Sequence, residues 1–359
     1  PARDIYVVGS EYIDTFTVVS AIGGPDEEQE TVTQVVAGTG STVYASADKL
    51  FVTGTVWETT TNLFTFTTNT TLTTKILSFS IRGGGLKAFG AGAVPGNIIN
   101  QYSMDYRNGF LRIATTGYNA ETFETTNSIF VLDENLERYS SLENLAPGER
   151  IYAVRFDEDR IYLVTFVQVD PLFVIDASDP GNLKVLGELK IPGFSNYLHP
   201  VGDHLVLGIG QATRSDGSAT PAGLKLALFD VTDPENPIEK SVLVYGVNYG
   251  YSDVEYNPKA LMIGPEEGMF GLPVCFDKPA GDYGTDYLTG FLLVRIDSDE
   301  ELVHEYLFEN VGFNGICRGL YTHDAVFVVS DTSIDSFDIE TYEPLDSYEL
   351  ENTVPVIID

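Results

Sequence analysis

A β-propeller, all-β and built from repeated four-stranded antiparallel meanders, is the fold class this sequence predicts. Three observations carry the prediction. Residues 147–193 hold four short strand-like runs joined by tight turns, and the same spacing recurs along the chain. No stretch sustains a 3.6-residue apolar period, so no substantial helix is expected.

The unit at 147–193 is the clearest. Arg150–Phe156 alternates apolar with polar, Asp157-Glu158-Asp159 turns the chain, and Arg160–Phe166 alternates again. Leu172–Asp176 follows, then the turn Ala177–Asn182 and a run Leu183–Ile191 that stops at Pro192-Gly193. Ahead of it, the N-terminal segment reads as Asp4–Val8, Tyr12–Ala21 and, beyond an acidic turn at Pro25–Glu30, Thr31–Ala37. It is one strand short. The second unit is Ser41–Ala47, turn Asp48-Lys49, Leu50–Thr55, Lys75–Ile81 and Leu86–Ala91. Its Thr-rich insert Thr59–Thr74 reads as a surface loop. The sequon Asn69-Thr70-Thr71 there makes Asn69 a candidate glycosylation site. The third runs Ile98–Asp105, Phe110–Thr116, Ser128–Asp133 and Arg138–Leu145, and its Asn108-Gly109 is the strongest hairpin signal in the chain.

After the central unit comes a fifth: Asn196–Val201, turn Gly202-Asp203, His204–Gly210, Leu224–Asp230, turn Val231–Asn236 and Ile238–Tyr245. Its polar loop Gln211–Gly223 is expected to be mobile. The sixth is least regular: Ala260–Ile263, Phe270–Phe276, Phe291–Asp297 and Leu302–Phe308, with an insert at Asp277–Gly290. The seventh is Ile316–Thr322, Ala325–Ser330, Ser333–Ile339 and Pro344–Leu350, and the tail Thr353–Ile358 is a spare apolar run. Pairing that tail beside the short N-terminal unit would close a ring and remove open sheet edges. The expectation is one domain of seven blades, at 1–40 plus 353–358, 41–93, 94–146, 147–193, 194–247, 248–312 and 313–352. The same tail could instead complete a neighbouring copy's blade and make the protein a filament or surface-array subunit.

The chain has 359 residues and a formal net charge of −33, from 53 acidic against 20 basic residues. Such a surface repels nucleic acid and anionic lipid. It fits solvated carboxylates, adaptation to high salt, or acidic turns that hold cations such as calcium, and it predicts that salt stabilises the fold. No apolar run is long enough to span a membrane as a helix, and no leader peptide is visible. Cys275 and Cys317 fall on neighbouring strands of adjacent units, and a disulfide between them is expected if the chain is exported.

VPGNIINQYSMDYRNGFLRIATT (Val94–Thr116), SLENLAPGERIYAVRF (Ser141–Phe156), VTFVQVDPLFVIDASDP (Val164–Pro180), LGELKIPGFSNYLHP (Leu186–Pro200) and GLKLALFD (Gly223–Asp230) resemble the secreted β-propeller-domain family of archaea and bacteria. That family is distantly WD-repeat-like, and the turns of this chain resemble LVIVD-type repeats. The resemblance implies an exported propeller and carries no catalytic residue across. WD signatures, Trp-rich docking repeats and Asp-boxes are missing, and Trp57 is the single tryptophan.

No nucleophile elbow, HExxH, P-loop or dinucleotide fingerprint is present, so no catalytic residue and no cofactor is assigned. Weak metal candidates are His199 and His204, which bracket a hairpin, and the turn carboxylates Asp157, Asp159, Asp230 and Asp233. Asp in such turns more often bonds the turn backbone. His304 reads as structural. Arg112, Arg150, Arg155 and Arg318 are scarce cations on or beside inner strands; Arg155 and Arg318, on first strands, could line the channel and bind an anion, and pairing with neighbouring carboxylates is the commoner use. Two function classes remain. One is a non-enzymatic cell-surface or extracellular module for adhesion, interaction or assembly, with other surface proteins or copies of itself as partners. The other is a carbohydrate-processing or other hydrolase with its site at the channel mouth.

Overall fold

The protein is described by a computed structural model over residues 5–8, 15–22, 31–38, 40, 42–62, 67–118, 124–166, 170–214, 220–266, 268–280, 284–309, 311 and 317–350. Chain packing divides it into two compact units, residues 1–167 with 173–186 and residues 168–172 with 187–359. The described residues form seven sheets, and their helical segments are single 3-10 turns at 82–84, 101–103, 253–255 and 258–260.

The first sheet is β1 (Ile5–Val8), β2 (Phe16–Ala21) and β3 (Val32–Gly38), in the order β1-β3-β2. The second is β4 (Thr42–Ala45), β5 (Lys49–Asn62), β6 (Thr67–Ser80) and β7 (Lys87–Pro95). The third is β8 (Met104–Arg107), β9 (Phe110–Tyr118), β10 (Thr125–Leu132) and β11 (Arg138–Leu145). The fourth is β12 (Arg150–Asp157), β13 (Arg160–Phe166), β14 (Asp170–Asp176) and β15 (Lys184–Ile191). The fifth holds β16 (Phe194–Val201), β17 (Leu205–Thr213), β18 (Pro221–Asp230) and β19 (Ile238–Tyr245). The sixth holds β20 (Gly250–Tyr251), β21 (Met262–Ile263), β22 (Met269–Ala280), β23 (Gly284–Ile296) and β24 (Leu302–Glu309). The seventh holds β25 (Arg318–Tyr321), β26 (Ala325–Val329), β27 (Ser333–Asp338) and β28 (Pro344–Glu349). Sheets two to five and seven are four-stranded meanders in sequence order.

Sheet stacks on sheet, and the middle strands are therefore apolar on both faces. In β10, Ile129 and Val131 enter the core shared with the fourth sheet, beside Ile161, Leu163 and Ile175. The intervening Phe130 and Leu132 enter the core shared with the second sheet, beside Phe51 and Ile76. Period-two alternation thus serves two cores at once, and the run reads IFVL without a polar break. Full burial of each such side chain contributes on the order of 1.5–3 kcal/mol. The second unit repeats the arrangement between its last two sheets, with Phe291, Leu293 and Phe308 against Val326 and Val328.

The turns from third to fourth strand follow one scheme. Asp133 Oδ1 accepts the backbone N–H of Asn135 and Glu137 at 2.9 and 2.8 Å, and Asp297 treats Asp299 and Glu301 the same way at 3.0 Å each. Asp176, Asp230 and Asp338 do likewise for Ser178, Thr232 and Glu340 at 3.0, 2.8 and 3.0 Å. Hydrogen bonds hold three of these carboxyls below their ordinary range, foremost the Ser178 N–H on Asp176, the Thr232 hydroxyl on Asp230 and the Thr341 N–H on Asp338.

Four features differ from the expectation. The first sheet has three strands, and β1 pairs with β3 in parallel, Ile5 opposite Val35, so it is not wholly antiparallel. The tail Thr353–Ile358 and the turn Pro25–Glu30 lie outside the described residues, as do residues 215–219 of the polar loop. The Thr59–Thr74 insert is not a loop: β5 and β6 stay paired as far as Asn62 and Thr67, with the hydroxyls of Thr59 and Thr70 3.2 Å apart. β-Branched Thr suits a strand even where both faces are wet, which polarity alone misreads as loop. The Asp277–Gly290 insert extends the same way, its strands paired to Ala280 and Gly284. In the third sheet the first strand starts late, at Met104. Asn100 Oδ1 accepts from Tyr102 N at 2.9 Å and caps a 3-10 turn in place of the strand start.

Candidate functional site

In an antiparallel meander, the first-to-second and third-to-fourth turns share one end of the sheet. The second-to-third turn and the connection to the next sheet share the other. In the first unit this second end carries a groove of about 700 Å³. Its walls come from the paired ends of β5 and β6 (Trp57, Thr70, Leu72) and of β9 and β10 (Tyr118, Thr125). The inter-sheet connections and the start of β12 complete it with Asn97, Ile99, Arg150 and Tyr152.

The floor is fixed by sequence features that only the fold brings together. β7 ends at Pro95, and Gly96 follows at φ +89 with its N–H donating to Leu72 O at 2.7 Å. A Cβ at Gly96 would lie 2.7 Å from Thr116 O, so the close approach needs glycine. Asn97 and Thr116 then exchange two backbone hydrogen bonds of 2.9 Å. The Thr116 hydroxyl donates to Asn127 Oδ1 at 2.7 Å and accepts from Ile151 N at 3.1 Å. Asn127, fully buried, donates from Nδ2 to Leu145 O and Glu149 O at 3.1 and 3.3 Å. One side chain thereby pins the connection that delivers Arg150 and Tyr152. The Tyr152 ring meets Phe166 edge to face at 5.5 Å.

Trp57 is 66 % exposed and Tyr118 47 % exposed, so two aromatic side chains reach solvent at the groove. Among the described residues the lining includes no carboxylate, histidine or thiol, although the chain carries 53 acidic residues. Arg150 is its one cation and makes no ion pair among the described residues. The arrangement can stack a ring, hydrogen-bond hydroxyls through Asn97, Thr70 and Thr125, and attract negative charge. Its hydroxyls are those of Tyr118, Tyr152 and the threonines.

Of the residues singled out in the sequence, Arg150 is in the groove and the others lie outside its lining. Asp157 and Asp159 are at the first-to-second-strand turn of the fourth sheet, the opposite end. Burial pushes the Asp157 carboxyl up, and the Arg155 guanidinium opposes this. In the second unit, His204 and Asp230 do approach each other, but around an ammonium. His204 Nε2 is 2.9 Å from Glu300 Oε1, and Lys240 contacts Glu300 Oε2 and lies 3.9 Å from Asp230. Lys240 thus holds the place a cation would take, and it draws the Glu300 carboxyl down. Asp233 is spent on its own turn, accepting from Glu235 N at 3.1 Å and Asn236 Nδ2 at 2.8 Å. His199 is apart from His204, its ring 5.5 Å from Phe270 and its Nδ1 3.3 Å from Tyr197 Oη. Among the described residues no three His, Cys, Asp or Glu side chains are grouped to hold a metal ion. His304 Nδ1 is 3.0 Å from Tyr245 Oη.

Cys275 and Cys317 are both free thiols, contrary to the expected disulfide. Cys317 is sealed in the apolar cluster of Met262, Phe291 and Val328, where burial pushes its thiol up to about 12. Cys275 is opposite Tyr251 and Thr289 on β22. Asn69 lies on β6 opposite Thr60, within paired strand. Arg112 is buried against Asp105 at 2.5 Å and donates to Glu158 O at 2.7 Å, and Arg318 pairs with Asp253 at 3.4 Å. Arg155 lies over the Tyr102 ring at 5.6 Å. A second polar cluster surrounds Glu255, whose carboxyl burial pushes up. It accepts from Gln211 Nε2 at 2.9 and 2.8 Å and from Ser252 N at 3.1 Å, which closes a 3-10 cap on itself. Sequence reasoning missed Trp57, Tyr118, Tyr152 and Asn97. A lone tryptophan just ahead of a Thr-rich insert was the available signal.

The described residues contain no helix long and apolar enough to cross a membrane. Two curated archaeal relatives match: an uncharacterized protein of Archaeoglobus fulgidus, 36 % identical over 280 residues, and one of Methanocaldococcus jannaschii, 35 % identical over 266. The matches cover 77 % and 74 % of this chain, which spans only 39 % of each relative's length. Among solved structures, the periplasmic gluconolactonase PpgL of Pseudomonas aeruginosa superposes with a TM-score of 0.50 at 11 % identity, covering 87 % of this chain and 86 % of that one. The β-propeller domain of the Trilobed protease from Pyrococcus furiosus superposes at 0.40 and 10 % identity, over 84 % and 82 % of the two chains. The family profile described as "Beta propeller domain" matches residues 1–342, and the chain belongs to that family.

Proposed function

We propose that this chain is a non-enzymatic recognition module, displayed at or beyond the cell surface, that binds its ligand in the groove of the first unit. The observation that supports it best is the lining: among the described residues it has exposed aromatic side chains and neutral polar groups with one arginine outside any ion pair, and no carboxylate, histidine or thiol. The placement outside the cell draws on the resemblance to exported propellers. Closure of the seven sheets into a ring by the tail, and weak calcium binding by the carboxylate-rich exterior, belong to the same proposal.

The test pairs binding with turnover. The full chain is offered panels of glycoside, lactone and ester substrates, and separately panels of saccharides and peptides, with Trp57 fluorescence as the readout. Binding without turnover is expected, and it should be lost in a Trp57→Ala/Tyr118→Ala variant whose melting is unchanged, followed there by calorimetry. Substrate turnover that disappears in Arg150→Gln would sink the recognition reading.

A further inference from the structure

The charge of the groove goes beyond the recognition reading on which it rests. Most cations of this chain are paired: Lys75 with Glu58, Arg82 with Asp48, Arg112 with Asp105, Arg138 with Glu143, Lys225 with Glu239 and Arg295 with Glu305. Among the described residues, Arg155 and Arg214 also lack an ion pair, but Arg155 lies over the Tyr102 ring and Arg214 donates to Asn248 Oδ1, so a guanidinium with neither a carboxylate nor such a partner is rarer. Arg150 is such a group, exposed at the start of β12 on the groove wall. Its neighbour Glu149 forms no ion pair with it; that carboxylate accepts from the Thr165 hydroxyl instead.

Around Arg150 the chemistry is that of a hydroxyl-rich ring with one flat apolar face. Trp57 and Tyr118 offer exposed aromatic side chains, while Asn97, Thr70 and Thr125 offer neutral donors and acceptors. The Thr116 hydroxyl is already committed to Asn127 and Ile151, and it sets the floor without recognising anything. The groove, about 700 Å³, is within the usual range of small-molecule sites.

We infer that the groove takes a short carboxylate-bearing oligosaccharide, of the uronic-acid class, with pyranose faces on Trp57 and Tyr118 and a carboxylate on Arg150. Planar guanidinium pairs with carboxylate in a two-pronged contact, which fixes the orientation as well as adding affinity. The net charge of −33 limits the length. Repulsion beyond about 8 Å is screened at physiological salt, but a long polyanion would lie against the surrounding carboxylates. A chain end or short oligomer meets the cation alone.

The experiment titrates the full chain with trigalacturonate, a neutral trisaccharide of the same ring size, and a tri-glutamate peptide, reading Trp57 emission and calorimetry. Trigalacturonate should shift the emission and bind at least tenfold more tightly than the neutral sugar. Arg150→Gln should remove that advantage while leaving the neutral sugar's affinity unchanged. Equal binding of acidic and neutral sugars, or an Arg150→Gln protein that keeps the preference, overturns the inference and leaves the recognition module standing. Binding of tri-glutamate in preference to both sugars overturns the saccharide and keeps the anion. If none of the three perturbs Trp57 or gives heat, the saccharide inference is wrong, and the recognition reading then rests on its own panels.

Discussion

The two ends of the sheets are built by different means. At the end of the third-to-fourth-strand turns, five sheets use one local device, an aspartate bonding the backbone two to four residues ahead, as at Asp133, Asp176, Asp230, Asp297 and Asp338. At the opposite end, three of the connections between sheets are held by different buried polar side chains that are distant in sequence. Asn127 of β10 pins Leu145–Glu149, Lys225 of β18 donates to Pro192 O at 2.8 Å, and Asp277 of β22 gathers the N–H groups of Val247, Asn248 and Tyr249. Local turns repeat because each is self-sufficient. Long-range clamps differ because each answers a particular neighbour, and that leaves one pair of them free to form a groove. The second end should accordingly carry both the larger stability effects and the binding.

The largest loss is expected from Asn127→Ala. It strands two or more buried carbonyls and the Thr116 hydroxyl, at about 3 kcal/mol. Chemical denaturation of the full chain should show it, and Trp57 emission should report a rearranged groove. Asp277→Ala comes next, at about 2 kcal/mol for the loss of a carboxylate bonded by three backbone N–H groups. Although burial pushes this carboxyl up, those N–H groups outweigh it and hold the value at about 2. Its folded value is therefore below its unfolded one. The stability it contributes is complete above about pH 4 and is lost as pH falls through about 2, so acid should narrow the gap between wild type and Asp277→Ala. A gap that stays constant from pH 6 to pH 2 would contradict the clamp. Gly96→Ala should cost a comparable amount, about 2 kcal/mol, because alanine is strained at φ +89 and its methyl meets Thr116 O. A Gly96→Ala protein that melts normally and binds as before would show that the floor tolerates displacement.

The same contrast explains what was legible in the sequence. Asp-Pro turns, Asn108-Gly109 and the β-rich runs show local chemistry, and local chemistry places strands and sheets. The doubly buried run of β10 and the alternation of β12 are visible in the same way. Of the candidate site only Arg150 was singled out, as a scarce cation; the grouping was not legible, because Trp57, Asn97, Tyr118 and Arg150 are separated by 20 to 40 residues and share only the end of the sheet on which they emerge. Asp230, Asp233 and Asp157 drew notice because turns repeat, and repetition marks the end away from the groove. The parallel β1–β3 pair was hidden for a related reason: a strand of four residues carries no record of its partner's direction.

The smallest effect should come from the regular end, and Asp233→Ala isolates it. Asp233 accepts from Glu235 N and Asn236 Nδ2, yet its turn survives without the carboxylate. The backbone bond from Asn236 N to Asp233 O, 3.0 Å, remains, and Pro234 still pre-sets φ at the next position. The freed groups are exposed, so water replaces the lost acceptor, and the net cost should be about 0.5 kcal/mol. The urea midpoint should shift only slightly, and Trp57 emission with any groove ligand should not change. If Asp233→Ala costs as much as Asn127→Ala, the turns are not self-sufficient, and the two ends of the sheets would have to be treated as one coupled network.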